Sequence, residues 1–111
     1  MPGSGTIVIV GGGVVGSSIA YHLRRDGHAG RVVVVERDPT YVRASSFLAM
    51  GGIRQQFSSA VNIQLAQYST RFYAEFDRAL RVPGHVPHTN FRQRGYLFLV
   101  NDALATRFEE R

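Results

Sequence analysis

Apolar and polar positions at the start of the chain follow a strand–helix–strand order. Residues 6–10 form a short run rich in Ile and Val, which is typical of a strand buried on both faces of a parallel sheet. Apolar residues then recur at every fourth position through residues 15–23, as in an amphipathic helix, and Gly27 suits the left-handed position that ends a helix. Residues 31–36, with four consecutive valines, predict a second strand. Because a helical crossover makes the two strands parallel, the pattern predicts a βαβ unit.

The pattern changes after this unit. Asp38-Pro39 predicts a turn, and residues 41–56 have no clear period, which indicates a short helix mixed with irregular loop. Apolar residues spaced by three or four predict a long amphipathic helix from about Ser59 to Leu80. Residues 82–87 contain two prolines and a glycine and predict a loop.

The last part of the sequence predicts two further elements. The segment from Gly95 to Val100 reads Gly-Tyr-Leu-Phe-Leu-Val and predicts a strand. Asn101 or Asp102 can cap a final helix, because their side chains accept hydrogen bonds from the first turn. We find no internal repeat and no low-complexity tract.

The glycines between the first strand and the helix carry the strongest chemical signal. In Gly11-x-Gly13-x-x-Gly16, Gly11 permits a tight turn, Gly13 lets a pyrophosphate approach the backbone, and Gly16 lets the helix pack closely on the strand. The helix N-terminus, at Val14 and Val15, offers free N–H groups and a partial positive charge to phosphates. The spacing predicts a dinucleotide site, and the alternative is a glycine-rich turn that binds nothing.

The second predicted strand ends in an acid that narrows the choice of dinucleotide. Glu36 lies near the expected distance of about twenty residues from the glycines. Its carboxylate can accept both ribose hydroxyls and repels a 2′-phosphate, so NADP is disfavoured. NAD and FAD both satisfy the βαβ unit. A plain NAD-binding domain normally gives a third strand soon afterwards, but no strand-like run appears between Asp38 and Phe91. The order of elements therefore favours the ADP half of FAD.

Composition excludes several other classes. A hydrophobic content of 44% argues against disorder. The chain has no Lys, and its 13 Arg are scattered without a basic run or a nucleic-acid motif, so we expect no nucleic-acid partner despite the net charge of +5. It has no Cys, no apolar run as long as a membrane span and no charged segment before the first strand, so we expect a cytoplasmic protein without a signal peptide. No metal site is predicted.

Four motifs, taken in order, resemble a known family. They are Gly11-Gly12-Gly13-Val14-Val15-Gly16, Val34-Val35-Glu36-Arg37, Ser45-Ser46 and Gly51-Gly52-Ile53-Arg54-Gln55-Gln56-Phe57. Together they resemble the N-terminal region of the D-amino-acid oxidase superfamily of FAD-dependent oxidoreductases. Within this superfamily they are similar to the branch that holds sarcosine oxidase, dimethylglycine dehydrogenase and the mitochondrial FAD-dependent oxidoreductase domain proteins. The resemblance extends from about Thr6 to the end of the chain.

The resemblance implies roles for the residues around the cofactor. Glu36 would bind the adenosine ribose, Ser45-Ser46 would donate hydroxyls to the pyrophosphate, and Gly51-Gly52 would let the backbone approach the flavin. Arg37 would lie along the adenine. Without the resemblance, the serines read equally well as a helix cap or loop pair, and Arg37 as a solvated side chain at a strand end.

The resemblance also implies a substrate residue. An Arg at the position of Arg54 reaches the substrate carboxylate in sarcosine-oxidase-like members, and a guanidinium fork matches a carboxylate in a bidentate way. The alternative is an ordinary salt bridge. Some relatives attach their flavin through His or Cys, but the sequence between Glu36 and Arg71 contains neither, so we expect non-covalent FAD as far as this segment is concerned.

The implied fold class is α/β, with a Rossmann-like βαβ FAD-binding domain that is incomplete here. Residues 1–87 would form its N-terminal part, and residues 88–111 the beginning of a second, substrate-binding domain. The implied activity is oxidation of a C–N bond in a small amino acid or N-methyl amine, and the rest of a longer polypeptide would be needed to complete the fold. The alternatives are an NAD-dependent dehydrogenase domain and a non-enzymatic dinucleotide-binding module.

Overall fold

The computed structural model describes residues 4–102 and 104–105. The chain divides into two compact units, Met1–Gly52 and Ile53–Arg111. The first unit contains strand β1 (Ile7–Val10), helix α1 (Val14–Arg25), strand β2 (Val32–Val35) and the short helix α2 (Ser45–Leu48). The second contains α3 (Ala60–Ala74) and α4 (Phe76–Ala79).

A parallel pair of strands forms the centre of the first unit. β1 and β2 pair in register from Ile7↔Val32 to Val10↔Val35, and the Gly11 N–H extends the ladder by donating to the Val35 carbonyl at 2.8 Å. Helix α1 packs against both strands. The predicted βαβ unit is therefore confirmed, and α1 lies close to the sheet at the buried Gly16.

Helix α1 ends as the sequence predicts. Gly27 has a φ of 87°, in the left-handed region that favours glycine. The His28 N–H donates to the Leu23 carbonyl at 2.9 Å, and the Gly27 N–H donates to the Arg24 carbonyl at 3.3 Å. These two bonds form a Schellman motif, which satisfies carbonyls that the last helical turn leaves without partners.

The two faces of the sheet differ in what covers them. A Cβ on Gly16 would lie 3.2 Å from Ile9 Cγ2, so Ile9 points toward α1. Side chains alternate between faces along a strand, which places Val8, Val10 and the Val35 paired with Val10 on the opposite face. Those three valines are 57%, 88% and 51% exposed. The first unit thus presents a largely uncovered apolar face.

The long helix predicted from Ser59 to Leu80 is two helices. α3 ends at Ala74 and α4 begins at Phe76, with Glu75 between them. The N–H of Glu75 donates to the carbonyl of Phe72, three residues earlier, at 3.2 Å, so the last turn of α3 tightens and the helical ladder stops there. Within the described ranges, no helix has the length and apolar character needed to cross a membrane.

The predicted strand from Gly95 to Val100 is wrong, because these residues form no strand ladder within the part of the chain that the structure describes. The side chains still alternate along the segment. The rings of Tyr96 and Phe98 stack with their centroids 6.2 Å apart, while Leu97 and Leu99 are 86% and 90% exposed. A strand needs a partner for its backbone groups, and side-chain alternation alone does not provide one.

The residues after this segment start a helical turn. The Leu104 N–H donates to Asn101 Oδ1 at 3.2 Å, which is the N-cap bond predicted for Asn101. The rest of the predicted final helix falls largely outside the described residues.

Candidate dinucleotide-binding site

An open cleft of about 650 Å³ lies at the carboxyl ends of β1 and β2, beside the N-terminus of α1. This is the edge of an open α/β sheet at which ligands bind. The structure places nine of the residues predicted to bind a cofactor around it: Gly11, Gly13, Val14, Val15, Gly16, Glu36, Arg37, Ser45 and Ser46.

The three glycines of the motif meet three separate requirements. Gly11 has a φ of 100°, a conformation that other residues rarely adopt. A Cβ on Gly16 would collide with the carbonyl oxygen of Gly11 and lie 3.1 Å from its carbonyl carbon. Gly13 also lines the cleft, but a Cβ there would meet nothing within 4 Å. The first and third glycines are therefore needed by the fold, and the second leaves open space for a ligand.

The N-terminus of α1 is suited to an anion. Gly13 is the N-cap and supplies no side-chain cap, and the first turn contains no acidic residue. The first N–H groups of a helix have no intrahelical partner, and the helix dipole places a partial positive charge there. Val14 and Val15 line the cleft at this point, so free N–H groups face the space where a phosphate would bind.

The carboxylate of Glu36 is held by two backbone donors. Oε2 accepts the Gly12 N–H at 2.7 Å, and Oε1 accepts the Asp38 N–H at 2.9 Å. The bond from Asp38, followed by that from Gly12, holds the pKa of Glu36 below its ordinary value of 4.5. The group is thus an oriented anion, and each oxygen keeps lone-pair capacity for a hydroxyl donor such as a ribose.

The segment from β2 to α2, residues 36–44, folds back to the cleft through successive turns. The Tyr41 N–H donates to the Asp38 carbonyl at 3.1 Å, and the Ala44 N–H donates to the Tyr41 carbonyl at 2.9 Å. Tyr41 has a φ of 58°, which is uncommon for a bulky residue and reverses the chain. As a result, Ser45 and Ser46 return to line the same cleft as the glycines.

Three other predicted site residues lie outside the lining of the cleft. Gly51 and Gly52 are exposed and are not among the residues that line the cleft. Arg54 belongs to the second unit, where its guanidinium carbon lies 4.8 Å from the centroid of the Phe57 ring in a cation–π contact.

Among the residues around the cleft that sequence reasoning missed, four bear on its chemistry. Gly12 is buried, and its N–H orients Glu36, while Asp38, Tyr41 and Arg43 line the cleft. A third consecutive glycine and the turn signal at Asp38 were signals available in the sequence. Tyr41 and Arg43 had none, because their position depends on a left-handed backbone at a residue that rarely adopts it.

Comparison with known proteins shows to which family the chain belongs. A family model described as "FAD dependent oxidoreductase" matches residues 6–111. The chain belongs to this family of FAD-dependent oxidoreductases. FAD is the family's cofactor, which agrees with the order of elements after Glu36.

Relatives within the FAD-dependent oxidoreductases support the assignment. The chain is 48% identical, over 98% of its length, to FAD-dependent oxidoreductase domain-containing protein 1 of Xenopus laevis, and 46% identical over 97% to the Bos taurus protein. It is 31% identical over 70% to the mitochondrial pyruvate dehydrogenase phosphatase regulatory subunit of Mus musculus. The chain spans 23% of the length of the first two relatives and 9% of the third. No solved structure matches.

The cleft fits the ADP portion of FAD chemically. An open glycine position, a helix N-terminus without acidic residues and an ionised carboxylate held by backbone donors are the groups that a pyrophosphate and a ribose require. The volume of about 650 Å³ also lies within the usual range for ligand clefts.

Proposed function

We propose that this chain forms the ADP-binding part of a Rossmann-like FAD domain and holds FAD without a covalent bond. The observation that carries the proposal is the single cleft that combines the glycine turn, the α1 N-terminus, Glu36 and the serine pair. In this proposal, Val14 and Val15 offer N–H groups to the pyrophosphate, and Ser45 and Ser46 add hydroxyls. Glu36 accepts the ribose hydroxyls.

Three further assignments belong to the proposal. Arg37, which lines the cleft directly after Glu36, lies along the adenine. Gly51 and Gly52 let the backbone approach the flavin. Residues 1–87 belong to the FAD-binding domain, and a substrate-binding domain begins at residue 88.

The proposed reaction is oxidation of a C–N bond in a small amino acid or N-methyl amine. When bound, FAD would supply the acceptor for the hydride equivalent that the substrate carbon loses, and the imine product would be hydrolysed by water. Arg54 would orient the substrate through its carboxylate, since a guanidinium can bind both carboxylate oxygens. The cation–π contact with Phe57 supports this role, because it restrains the side chain without using its N–H donors.

The first experiment uses the intact protein that contains this chain. We expect it to purify with FAD absorbance, to release FAD on denaturation, and to be bleached anaerobically by an N-methyl amino acid or amino acid. A colourless protein that cannot be reconstituted with FAD and binds NAD would overturn the cofactor proposal. A flavoprotein that amines do not reduce would overturn the substrate proposal only.

The second experiment tests Arg54. Losing a hydrogen bond to a charged group costs about 1.5–3 kcal/mol, so we expect Arg54→Ala to raise the substrate KM by roughly ten- to a hundredfold at unchanged flavin occupancy. Arg54→Lys would recover part of this loss, because an ammonium cannot reproduce the fork. Arg71→Ala, which removes an exposed Arg from α3, is the matched control. An unchanged KM at full occupancy would remove Arg54 from the substrate site.

A second candidate function is regulatory. The Mus musculus relative is named as the regulatory subunit of a phosphatase. A protein of this kind would bind FAD in the same cleft without turning over a substrate. Full flavin occupancy without reduction by a panel of amines, together with stable association with a phosphatase, would favour this candidate.

For the compartment, the sequence composition supports the cytoplasm, while the name of the same mouse relative places that protein in the mitochondrion. We propose the cytoplasm, and localisation of the tagged intact protein tests it. A mitochondrial signal would overturn it.

A further inference from the structure

The cleft needs a cation that the glycine motif does not provide. Glu36 and Asp38 both line it, and hydrogen bonds hold the pKa of each below its ordinary value, by backbone donors at Glu36 and chiefly by the Thr40 hydroxyl at Asp38. A pyrophosphate brings two more negative charges beside these two carboxylates. The α1 N-terminus offsets only about half of one elementary charge. Electrostatics therefore calls for a basic side chain close to the phosphates.

Arg37 and Arg43 are the basic residues among those that line the cleft. Neither guanidinium has a hydrogen bond or an ion pair with any residue that the structure describes. The charge of Arg37 already acts on Asp38, whose pKa it helps to lower, so Arg43 is the more available of the two to a ligand. They differ in position, since Arg37 directly follows Glu36 at the ribose end.

The backbone presents Arg43 on the other side, next to the serines. It lies inside the turn closed by the Ala44 N–H and the Tyr41 carbonyl at 2.9 Å, two residues before Ser45. The left-handed conformation of Tyr41 directs this turn back to the cleft, and the Tyr41 hydroxyl would lie 2.8 Å from a Cβ on Gly12. The turn is thus anchored over the glycine motif, which fixes where the Arg43 side chain starts.

We infer that Arg43 is a cofactor-binding residue whose guanidinium neutralises the pyrophosphate of FAD. Its planar donors match phosphate oxygens in a bidentate way, and it offsets the charge of the two neighbouring carboxylates. The inference rests on the proposed function, since it assigns a residue to the same cleft. It goes beyond the fingerprint, because no position of Gly-x-Gly-x-x-Gly or of the acidic strand end specifies this Arg.

The test compares ligands that differ in their phosphates, using the apo form of the intact protein. FAD binding is followed by quenching of flavin fluorescence, and ADP and adenosine are measured as competitors. Because Arg43 is exposed, we take the low end of the range for a charged hydrogen bond. We expect Arg43→Ala to weaken FAD and ADP about tenfold, to leave adenosine unchanged, and to reduce the salt dependence of FAD affinity. Arg43→Lys recovers part of the affinity.

Arg31→Ala is the matched control, because it removes the same charge from an exposed position of the first unit that does not line the cleft. We expect it to leave all three affinities unchanged. If Arg43→Ala binds FAD as tightly as the wild type does, and ADP as tightly as well, the inference is overturned while the proposed FAD binding stands. Equal losses for ADP and adenosine would also overturn it, since they would show a structural role for the turn. A wild-type protein that binds no FAD would instead overturn the proposed function.

Discussion

At the residue scale, Gly13 and Gly16 serve different needs although they belong to one motif. A side chain at Gly16 would collide with the Gly11 carbonyl, whereas a side chain at Gly13 would project into open space. The N-cap conformation of Gly13, with φ −63° and ψ −174°, is one that alanine also adopts. Substitutions at the two positions should therefore separate folding from ligand binding.

We expect Gly16→Ala to lower the free energy of unfolding by at least about 1–3 kcal/mol, because overpacking forces α1 away from the sheet. Gly13→Ala should change it by less than about 0.5 kcal/mol but should weaken FAD, since the methyl group occupies the approach of the pyrophosphate. Urea unfolding and FAD titration of both variants check this pair. Equal stability of the two variants would contradict the packing argument.

The lowered pKa of Glu36 leads to a prediction about how the stability of the fold depends on pH. Its pKa is lowered in the folded state, so its bonds to Gly12 and Asp38 stabilise the fold fully above its ordinary value of 4.5. This contribution is lost as the pH falls through the lowered folded-state pKa. The stability difference between wild type and Glu36→Gln should thus be largest near neutral pH and shrink below about pH 4.5. A difference that does not change with pH would rule out the charged bonds as its source.

The position of a cleft residue can be predicted from the sequence when the residues that determine it lie close by in the chain. Gly11 and Gly16 follow from the backbone of one turn, and a sequence pattern records that turn directly. The position of Arg43 depends on Tyr41 adopting a φ of 58°, and a tyrosine in the sequence does not predict that conformation. The bond between Gly12 and Glu36 joins residues 24 positions apart, and only the folded crossover brings them together.

At the scale of elements, local signals fix some boundaries and not others. The βαβ unit is predictable because its periods and its terminating Gly27 act within short segments. The segment from Gly95 to Val100 has the right alternation, but strand pairing depends on a distant partner that alternation does not specify. The break at Glu75 is also invisible, because apolar spacing continues from Phe72 to Phe76 across it.

The end of α1 offers a test at this scale. Gly27→Ala should destabilise the fold by roughly 1–2 kcal/mol, because alanine is strained at a φ of 87° while nothing lies within 4 Å of the added methyl. Gly5→Ala is the control, since its surroundings are equally open and its φ lies outside the left-handed region. Urea unfolding measures both variants. Equal effects would show that the left-handed conformation is not the cause.

At the scale of the whole molecule, the described residues contain no buried hydrophobic side chain. The uncovered sheet face of Val8, Val10 and Val35 accounts for part of the exposed apolar surface. The chain covers 23% of the length of its relative from Xenopus laevis. Exposed apolar surface of this kind is normally covered by other protein in the native state.

We therefore expect the 111-residue chain, expressed by itself, to bind a hydrophobic dye, to self-associate and to show no oxidase or dehydrogenase turnover. Size-exclusion chromatography, dye fluorescence and an activity assay check this. The intact protein is the control and should be free of self-association. A monodisperse, active monomer of 111 residues would contradict the expectation.

The bond from Gly12 to Glu36 has a consequence for how the protein persists in a cell. The same contact that closes the βαβ unit also shapes the cleft beside Glu36, so a ligand bound there would favour the folded chain over the unfolded one. At a free ligand concentration of one hundred times Kd, this linkage is worth about 2.7 kcal/mol. For a marginally stable domain, that is enough to change the steady-state level several-fold through proteolysis of the unfolded form. Flavin supply would then set the amount of this protein and not only the fraction of it that carries cofactor.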